Sequence, residues 1–482
     1  MPKVQTPDWV KDAVFYQIFP DRFARSDKVL KPNNLEAWDS LPTPQGYKGG
    51  DLLGVVEHLD HVQDLGVTAV YFTPIFQSAS NHRYHTLDYY QVDPLLGGNA
   101  AFYTLRDEIH RRGMKLVLDG VFNHASRGNY YFNDILENGP HSAWLDWFTV
   151  YGWPLSPYDG SKPANYDSWE GNYALPKWNT DNPQAREYLM RVAEHWLREG
   201  IDGWRLDVPF CITSPGFWNE FRQRVKAINP EAYIVGEVWW DSRNYLQGDQ
   251  FDAVMNYLFT DVVISFTCQQ HLNYDLVRDR DYNPYPPIDA LRYADRIDKL
   301  LRLYYWEVSQ AQLNLLDSHD TPRLLSIANG DRATVRLGTI LLMTYPGAPS
   351  IYYGDEIGLP GGSDPDCRRT IAWDKRDTWD MDALAYHKQL IAVRRAHPAL
   401  RRGRYLRLYA TGMVYAFGRQ LDNDRVLVVV NAGDAEQTVE IPLNGLFSDG
   451  TQLTAAYGQG SASVEGGKVK IAVAARDGVV LV

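Results

Sequence analysis

The segment Gly203-Trp204-Arg205-Leu206-Asp207-Val208-Pro209-Phe210 decides the fold, and it closes an apolar run that begins at Ile201. The run reads as a buried strand, Ile201 to Leu206, interrupted by an arginine and ended by an aspartate where the apolar residues meet a proline. An unpartnered guanidinium or carboxylate in an apolar interior is expensive, so Arg205 and Asp207 are expected to share one polar site at the strand's carboxyl end. A structural Arg–Asp pair capping a strand would satisfy the same requirement, and the octapeptide alone does not separate the two readings.

Three other apolar runs end in the same way. Lys115-Leu116-Val117-Leu118 leads into Asp119 and then His124, Ala232-Tyr233-Ile234-Val235-Gly236 into Glu237 beside Trp239 and Trp240, and Asn314-Leu315-Leu316 into Asp317, Ser318, His319 and Asp320. Acidic residues that recur at the ends of buried parallel strands collect on one face of a barrel, where such folds carry their chemistry. Further strands are expected at Ala13–Phe19, Val67–Phe72, Phe251–Met255, Gln312–Leu316 and Ser350–Tyr353, each apolar throughout, as in a parallel sheet covered on both sides. Helical spacing is expected over Leu52–Leu65, with Asp51 as cap and Gly66 as stop, and over Phe102–Arg112, Asp181–Arg198, Phe217–Ile228, Ile288–Gln310, Ala333–Met343 and Met381–Ala396.

This alternation specifies an α/β chain, a (β/α)8 TIM barrel built from residues 1–124 and 180–398. Residues 125–179 break the rhythm. They are rich in Gly, Pro, Asn, Tyr and Trp without a long periodic segment, which predicts an inserted subdomain after the third strand. Residues 399–482 change to short alternating strands separated by Gly, Asp and Asn turns, as in a C-terminal antiparallel β-sandwich.

A net charge of −12 with no basic block argues against nucleic acid and anionic membrane as partners. Three scattered cysteines, Cys211, Cys268 and Cys367, make no disulfide framework and suit a reducing compartment. The stretch Met1–Asp8 has no apolar core for export and no segment reaches membrane-spanning length, so a cytoplasmic protein is expected.

The ordered set Asp119…Asn123-His124, Gly203…Arg205…Asp207, Gly236-Glu237…Trp239-Trp240 and Ser318-His319-Asp320 resembles the alpha-amylase superfamily, glycoside hydrolase family 13, over nearly the whole chain. The resemblance implies that Asp207 is the nucleophile, Glu237 the acid/base, and Asp320 the third carboxylate, which holds sugar hydroxyls. It further implies that His124 and His319 bind the sugar at the point of cleavage, that His82 and Tyr84 bind and stack on it, and that Asp364 and Arg368 bind the next sugar outward. Arg205, Phe210 and Trp239 are counted with these substrate-binding residues. Arg205 is expected to favour ionised Asp207, while Val238, Trp239 and Trp240 keep Glu237 protonated.

Leu175-Pro176-Lys177-Trp178-Asn179 is similar to the signature of the cyclomaltodextrinase, neopullulanase and maltogenic amylase group. The implied function is a retaining glycoside hydrolase cutting α-1,4 bonds, with α-1,6 bonds left open, in short or cyclic maltooligosaccharides. A transglycosylase or isomerase using the same trio, or a non-catalytic sugar-binding member, are the alternatives. Three departures from the group stand out. The barrel begins near Ala13 without the group's amino-terminal domain, so a homodimer is left open. Pro209, Phe210 and Cys211 replace the small residue, Asn and Glu that usually follow the nucleophile. The loop after the first strand carries Lys28 and Lys31, poor neighbours for a divalent cation. No cofactor is required by the chemistry, no metal ligand is assigned, and calcium is left open.

Overall fold

The computed structural model describes residues 4–278 and 285–482; Met1, Pro2 and Lys3 of the amino-terminal stretch lie outside the described residues. Eight parallel strands form one sheet: β1 Phe15–Ile18, β2 Ala69–Phe72, β3 Lys115–Gly120, β4 Gly203–Leu206, β5 Tyr233–Gly236, β6 Ala253–Val254, β7 Leu313–Asn314 and β8 Ala348–Tyr352. β1 is flanked by β2 and β8, and the order then runs through β3, β4, β5 and β6 on one side and β7 on the other. A parallel bridge between Met255 and Leu313 joins the two ends, so the sheet closes into a barrel. The strands β1, β2, β4 and β5 are buried at every residue, which explains runs that are apolar except for Gln17 in β1 and Arg205 in β4. At Gly203 a Cβ would stand 2.4 Å from the Tyr233 carbonyl oxygen, so β4 can approach β5 only through glycine.

Helices cover the barrel with apolar faces inward. Phe217–Ile228 buries Phe217, Trp218, Phe221 and Val225, and Pro183–Arg198 buries seven residues including Trp196. The expected helix over 52–65 is two helices, Leu52–Glu57 and Leu59–Leu65, because the His58 imidazole takes the Gly54 carbonyl (2.8 Å) and its backbone leaves the helical region. The cap at Asp51 and the left-handed stop at Gly66 are both present. The region 288–310 likewise divides into Ala290–Leu303 and Trp306–Ser309, with Tyr304 extended and its hydroxyl accepting the Ser242 amide (3.1 Å).

Several elements escaped the sequence reading, among them the buried helix Tyr257–Thr267 after β6. A hairpin of Phe76–Ser78 and Thr86–Val92 follows β2, and its loop carries His82 and Tyr84. Residues 125–179 contain a helix, Tyr130–Asn138, started by the Asn129 side chain accepting from the Tyr131 amide.

The last eight strands, Arg404–Thr411 to Asp477–Leu481, make one antiparallel ladder folded over its own core of Leu427, Val429, Ile441, Leu453, Val464 and Leu481. Two fully buried arginines meet beneath it, Arg394 from the barrel helix Met381–Ala396 and Arg419 from the sheet itself, and Arg419 joins the sheet to the barrel. Arg394 donates to the carbonyls of Met343 (2.9 Å) and Gly347 (2.5 Å), and Arg419 to those of Thr344 (2.6 Å) and Gly403 (3.0 Å). Met343 and Thr344 end the helix Arg332–Thr344, so the two guanidiniums meet its negative carboxyl end. Burial lowers both arginines to about 9, and they remain cationic at neutral pH. Among the described residues no helix is long and apolar enough to cross a membrane.

Candidate active site

The site grows from the register of β3, β4 and β5. Asp119 lies level with Arg205, and Leu206 with Gly236, so Asp207 and Glu237 leave the sheet side by side at the barrel's carboxyl end. Arg205, with no exposed surface, is the hub. Its Nη1 is 3.0 Å from both Asp119 oxygens and 3.0 Å from Asp207 Oδ1; its Nη2 is 3.0 Å from Glu237 Oε2 and 3.9 Å from Asp320 Oδ2. One guanidinium thus touches or approaches all four carboxylates, and the trio Asp207, Glu237 and Asp320 converges within its span.

Val208 adds a backbone contribution. It adopts the left-handed conformation (φ 34°, ψ 51°), which a β-branched residue before a proline resists. The turn delivers its N–H to Glu237 Oε2 at 3.1 Å. Strain of this kind persists where the surroundings over-determine it, and here it ties the peptide after Asp207 to Glu237.

Burial raises the pKa of Asp207 well above the carboxylate range and raises those of Glu237 and Asp320. Arg205 opposes each, while the neighbouring carboxylates add to the rise in Asp207 and Glu237. Asp119 is pushed up to about 6, again by burial against the pull of Arg205. The expectation that Arg205 would single out Asp207 for ionisation is corrected: the guanidinium contacts Glu237 as closely as Asp207. Four crowded acids around one cation titrate as a coupled group.

A directional chain of hydrogen bonds stands beside them. Gln17 Nε2 meets His319 Nδ1 (2.7 Å), His319 Nε2 meets the Tyr84 hydroxyl (2.5 Å), and that hydroxyl donates to Asp119 Oδ2 (2.9 Å), which also accepts from the Tyr71 hydroxyl (2.9 Å). Burial holds His319 neutral, so with Gln17 donating to Nδ1 the ring proton is assigned to Nε2. The rings of Tyr84 and His319 stack at 5.6 Å, 5° from parallel.

The trio opens into a cleft of about 410 Å³, lined also by His82, Tyr84, His124, Trp169, Asp364 and Arg368. Arg368 pairs with Asp364 (2.9 Å) and reaches Asp320 (3.5 Å). His124 stacks on Trp169 (5.5 Å), and Asn123 Nδ2 lies 3.2 Å from its Nδ1. Its Nε2 is buried without a hydrogen-bond partner, and burial lowers the ring to about 3. A neutral imidazole with an unmet polar atom beside a cleft suits a ligand hydroxyl.

Four residues expected to bind substrate do not line this cleft. Arg205 and His319 are fully buried behind the cleft lining. Trp239 is stacked on Tyr257, and Phe210 pairs with the half-exposed Trp240 (4.7 Å) at the rim. Conversely, Tyr71, Gln17, His85, Trp169 and Tyr257 were not among the expected site residues, nor was Asp119, although its place at a strand end had been noticed. Only Asp119 had a local signal, the same apolar run ending in an acid.

The loop after β1 does not fit a divalent cation. Asp51 Oδ atoms accept from Ser26 N (2.9 Å), Ser26 Oγ (2.9 Å), Gly54 N (2.7 Å) and the Lys31 ammonium (3.0 Å). A carboxylate surrounded by donors, one of them already a cation, offers no lone pair to calcium. Dialysis against a chelator is therefore expected to leave the melting temperature unchanged. A fall restored by calcium would show a metal site that this donor set does not provide.

A closed parallel barrel with clustered acids above β4, β5 and β7 defines a class of sugar-cleaving enzymes, and comparison with known proteins agrees. The alpha-amylase catalytic domain matches residues 17–389, and the chain belongs to the alpha-amylase family. A neopullulanase-like C-terminal domain matches residues 405–479. Within the family the chain is a glycosidase similar to cyclomaltodextrinases and neopullulanases. A cyclomaltodextrinase from a Bacillus species is 45% identical over 448 residues, 92% of this chain and 76% of that protein. The debranching enzyme of Nostoc punctiforme is 56% identical with a TM-score of 0.90, covering 99% of this chain and 100% of the other. The cyclic alpha-maltosyl-(1→6)-maltose hydrolase of Arthrobacter globiformis is 37% identical with a TM-score of 0.87, covering 99% and 100%.

Proposed function

We propose that this chain is a retaining hydrolase of α-1,4 and α-1,6 glucosidic bonds in short or cyclic maltooligosaccharides. The observation that carries the reading is the convergence of Asp207, Glu237 and Asp320 on one buried guanidinium at the mouth of the barrel. In this reading Asp207 attacks the anomeric carbon as Glu237 gives its proton to the leaving oxygen. Glu237 then takes a proton from water as the glycosyl–Asp207 ester opens. Asp320, braced by Arg368, and the neutral His124 hold sugar hydroxyls. The inclusion of α-1,6 links is supported by likeness to relatives named for debranching and for a maltosyl-(1→6)-maltose substrate. The three cysteines are unpaired, which fits a reducing compartment.

The purified protein should be given maltotriose, a cyclodextrin, pullulan and an α-1,6-linked oligosaccharide, with products followed by chromatography and early NMR spectra. Hydrolysis of both bond types with the α-anomer appearing first is expected. First appearance of the β-anomer would overturn the covalent mechanism, and products longer than maltotriose as the main outcome would favour a transglycosylase.

A further inference from the structure

Trp239 lies two residues after Glu237, and its indole Nε1 donates to Glu237 Oε1 at 3.0 Å. The indole is clamped: its ring lies 3.5 Å from that of Tyr257 and 5° from parallel. Tyr257 begins the helix Tyr257–Thr267, is 6% exposed, and is itself anchored, with its hydroxyl 3.2 Å from Ser318 Oγ. That same Oγ accepts the Asp320 amide at 3.2 Å. A continuous contact path therefore runs from the Glu237 carboxyl through Trp239, Tyr257 and Ser318 to the backbone of Asp320.

The two Glu237 oxygens are not equivalent. Oε2 faces the Arg205 guanidinium as an ion pair (3.0 Å) and accepts the Val208 amide (3.1 Å), so it lies against a full positive charge that opposes a proton there. Oε1 receives the indole, which leaves one lone pair for a proton. We propose that Trp239 is a positioning residue for the acid/base carboxyl: held flat by Tyr257, it fixes Oε1 as the oxygen that carries the transferable proton and sets the direction in which that proton is presented. The inference rests on the reading of Glu237 as acid/base. In the first step the proton leaves Oε1 for the glycosidic oxygen as the bond from that oxygen to the anomeric carbon breaks and Asp207 bonds to the carbon. In the second, a water proton returns to Oε1 as the water oxygen displaces Asp207.

The groups facing Glu237 are Arg205 on β4, Asp207 and the Val208 amide after it, Asp320 after β7, Tyr257, and Trp239 itself. Arg205, the Val208 amide and Trp239 favour the carboxylate, and Asp207 and Asp320 oppose it. Losing the indole N–H removes one donor to the carboxylate and makes the proton harder to lose.

The test compares two substrates on one variant. Trp239→Phe keeps a ring against Tyr257 and loses the N–H. For maltotriose, whose leaving group needs a proton, kcat/KM should fall about 30-fold, and the basic limb of its pH profile should move upward by about one unit. For a dinitrophenyl α-maltoside, whose leaving group needs none, kcat/KM should stay within about twofold. Equal losses on both substrates, or no loss on maltotriose, would overturn the inference. Tyr257→Leu, which removes the clamp and leaves the N–H, should show the same split at smaller size, and it decides the matter if the first variant folds poorly. Glu237→Gln separates this inference from the reading beneath it. If that variant loses both substrates alike, the acid/base assignment fails; if it shows the split and Trp239→Phe does not, only the role of Trp239 fails.

Discussion

Asp207→Asn should lower turnover of maltooligosaccharides by about 10⁴-fold or more while raising the melting temperature. The amide has the shape of the carboxylate and can still accept from Arg205, so the cleft keeps its form. It is a poor nucleophile, and no glycosyl ester accumulates. Stability moves the opposite way because Asp207 is one of four acids crowded around a single cation. Its proton affinity is raised by burial and by the charges of Glu237, Asp119 and Asp320, so the ionised form is disfavoured in the folded protein. Arg205 retains three carboxylates after the change. Assay of turnover alongside thermal melting at neutral pH checks both halves: near-normal activity would remove Asp207 from the nucleophile's role, and a lower melting temperature would show that its charge is structural.

Arg205→Met should have the largest effect on stability, a loss on the order of 3–5 kcal/mol at neutral pH together with nearly all activity. The side chain is fully buried, and its removal strands Asp119, Asp207 and Glu237 in a low-dielectric site. The sign of the pH dependence follows from Asp119, whose folded value of about 6 stands above its ordinary 3.8. A raised acid costs nothing below its unfolded value and its full penalty above the folded one, so that penalty grows from pH 4 to 6. Without the guanidinium the penalty grows further, and the variant should recover part of its lost stability as the pH is lowered toward 5. Denaturant unfolding at pH 5 and pH 7 measures this. A loss that is the same at both values would mean that packing of the long side chain, not its charge, accounts for the effect.

The barrel was legible because its strands are buried on both faces and therefore largely apolar rather than alternating, and because four of them end in acids. The breaks at His58 and Tyr304 were not, since each depends on a side chain reaching a partner that local periodicity does not reveal: His58 to a main-chain carbonyl, Tyr304 to a residue 62 positions away. Within the site, Asp207, Glu237 and Asp320 were visible from strand ends and motif order. The support behind them was not. Gln17 reaches His319 across 302 positions, and no local pattern pairs Trp239 with Tyr257. Arg205 was read as the partner of one acid because Asp207 is its neighbour in sequence, whereas the register with β3 and the reach to β5 make it common to all.

Arg419 bears on how the chain can be cut. Helix 332–344 precedes β8, and its final carbonyls are completed partly from the terminal sheet, by a residue 75 positions downstream. A fragment ending near Leu400 would leave that helix end without Arg419, beside β8 and the barrel seam. The last eighty or so residues are thus a buttress for the catalytic half, and the two halves should melt together as a single cooperative unit.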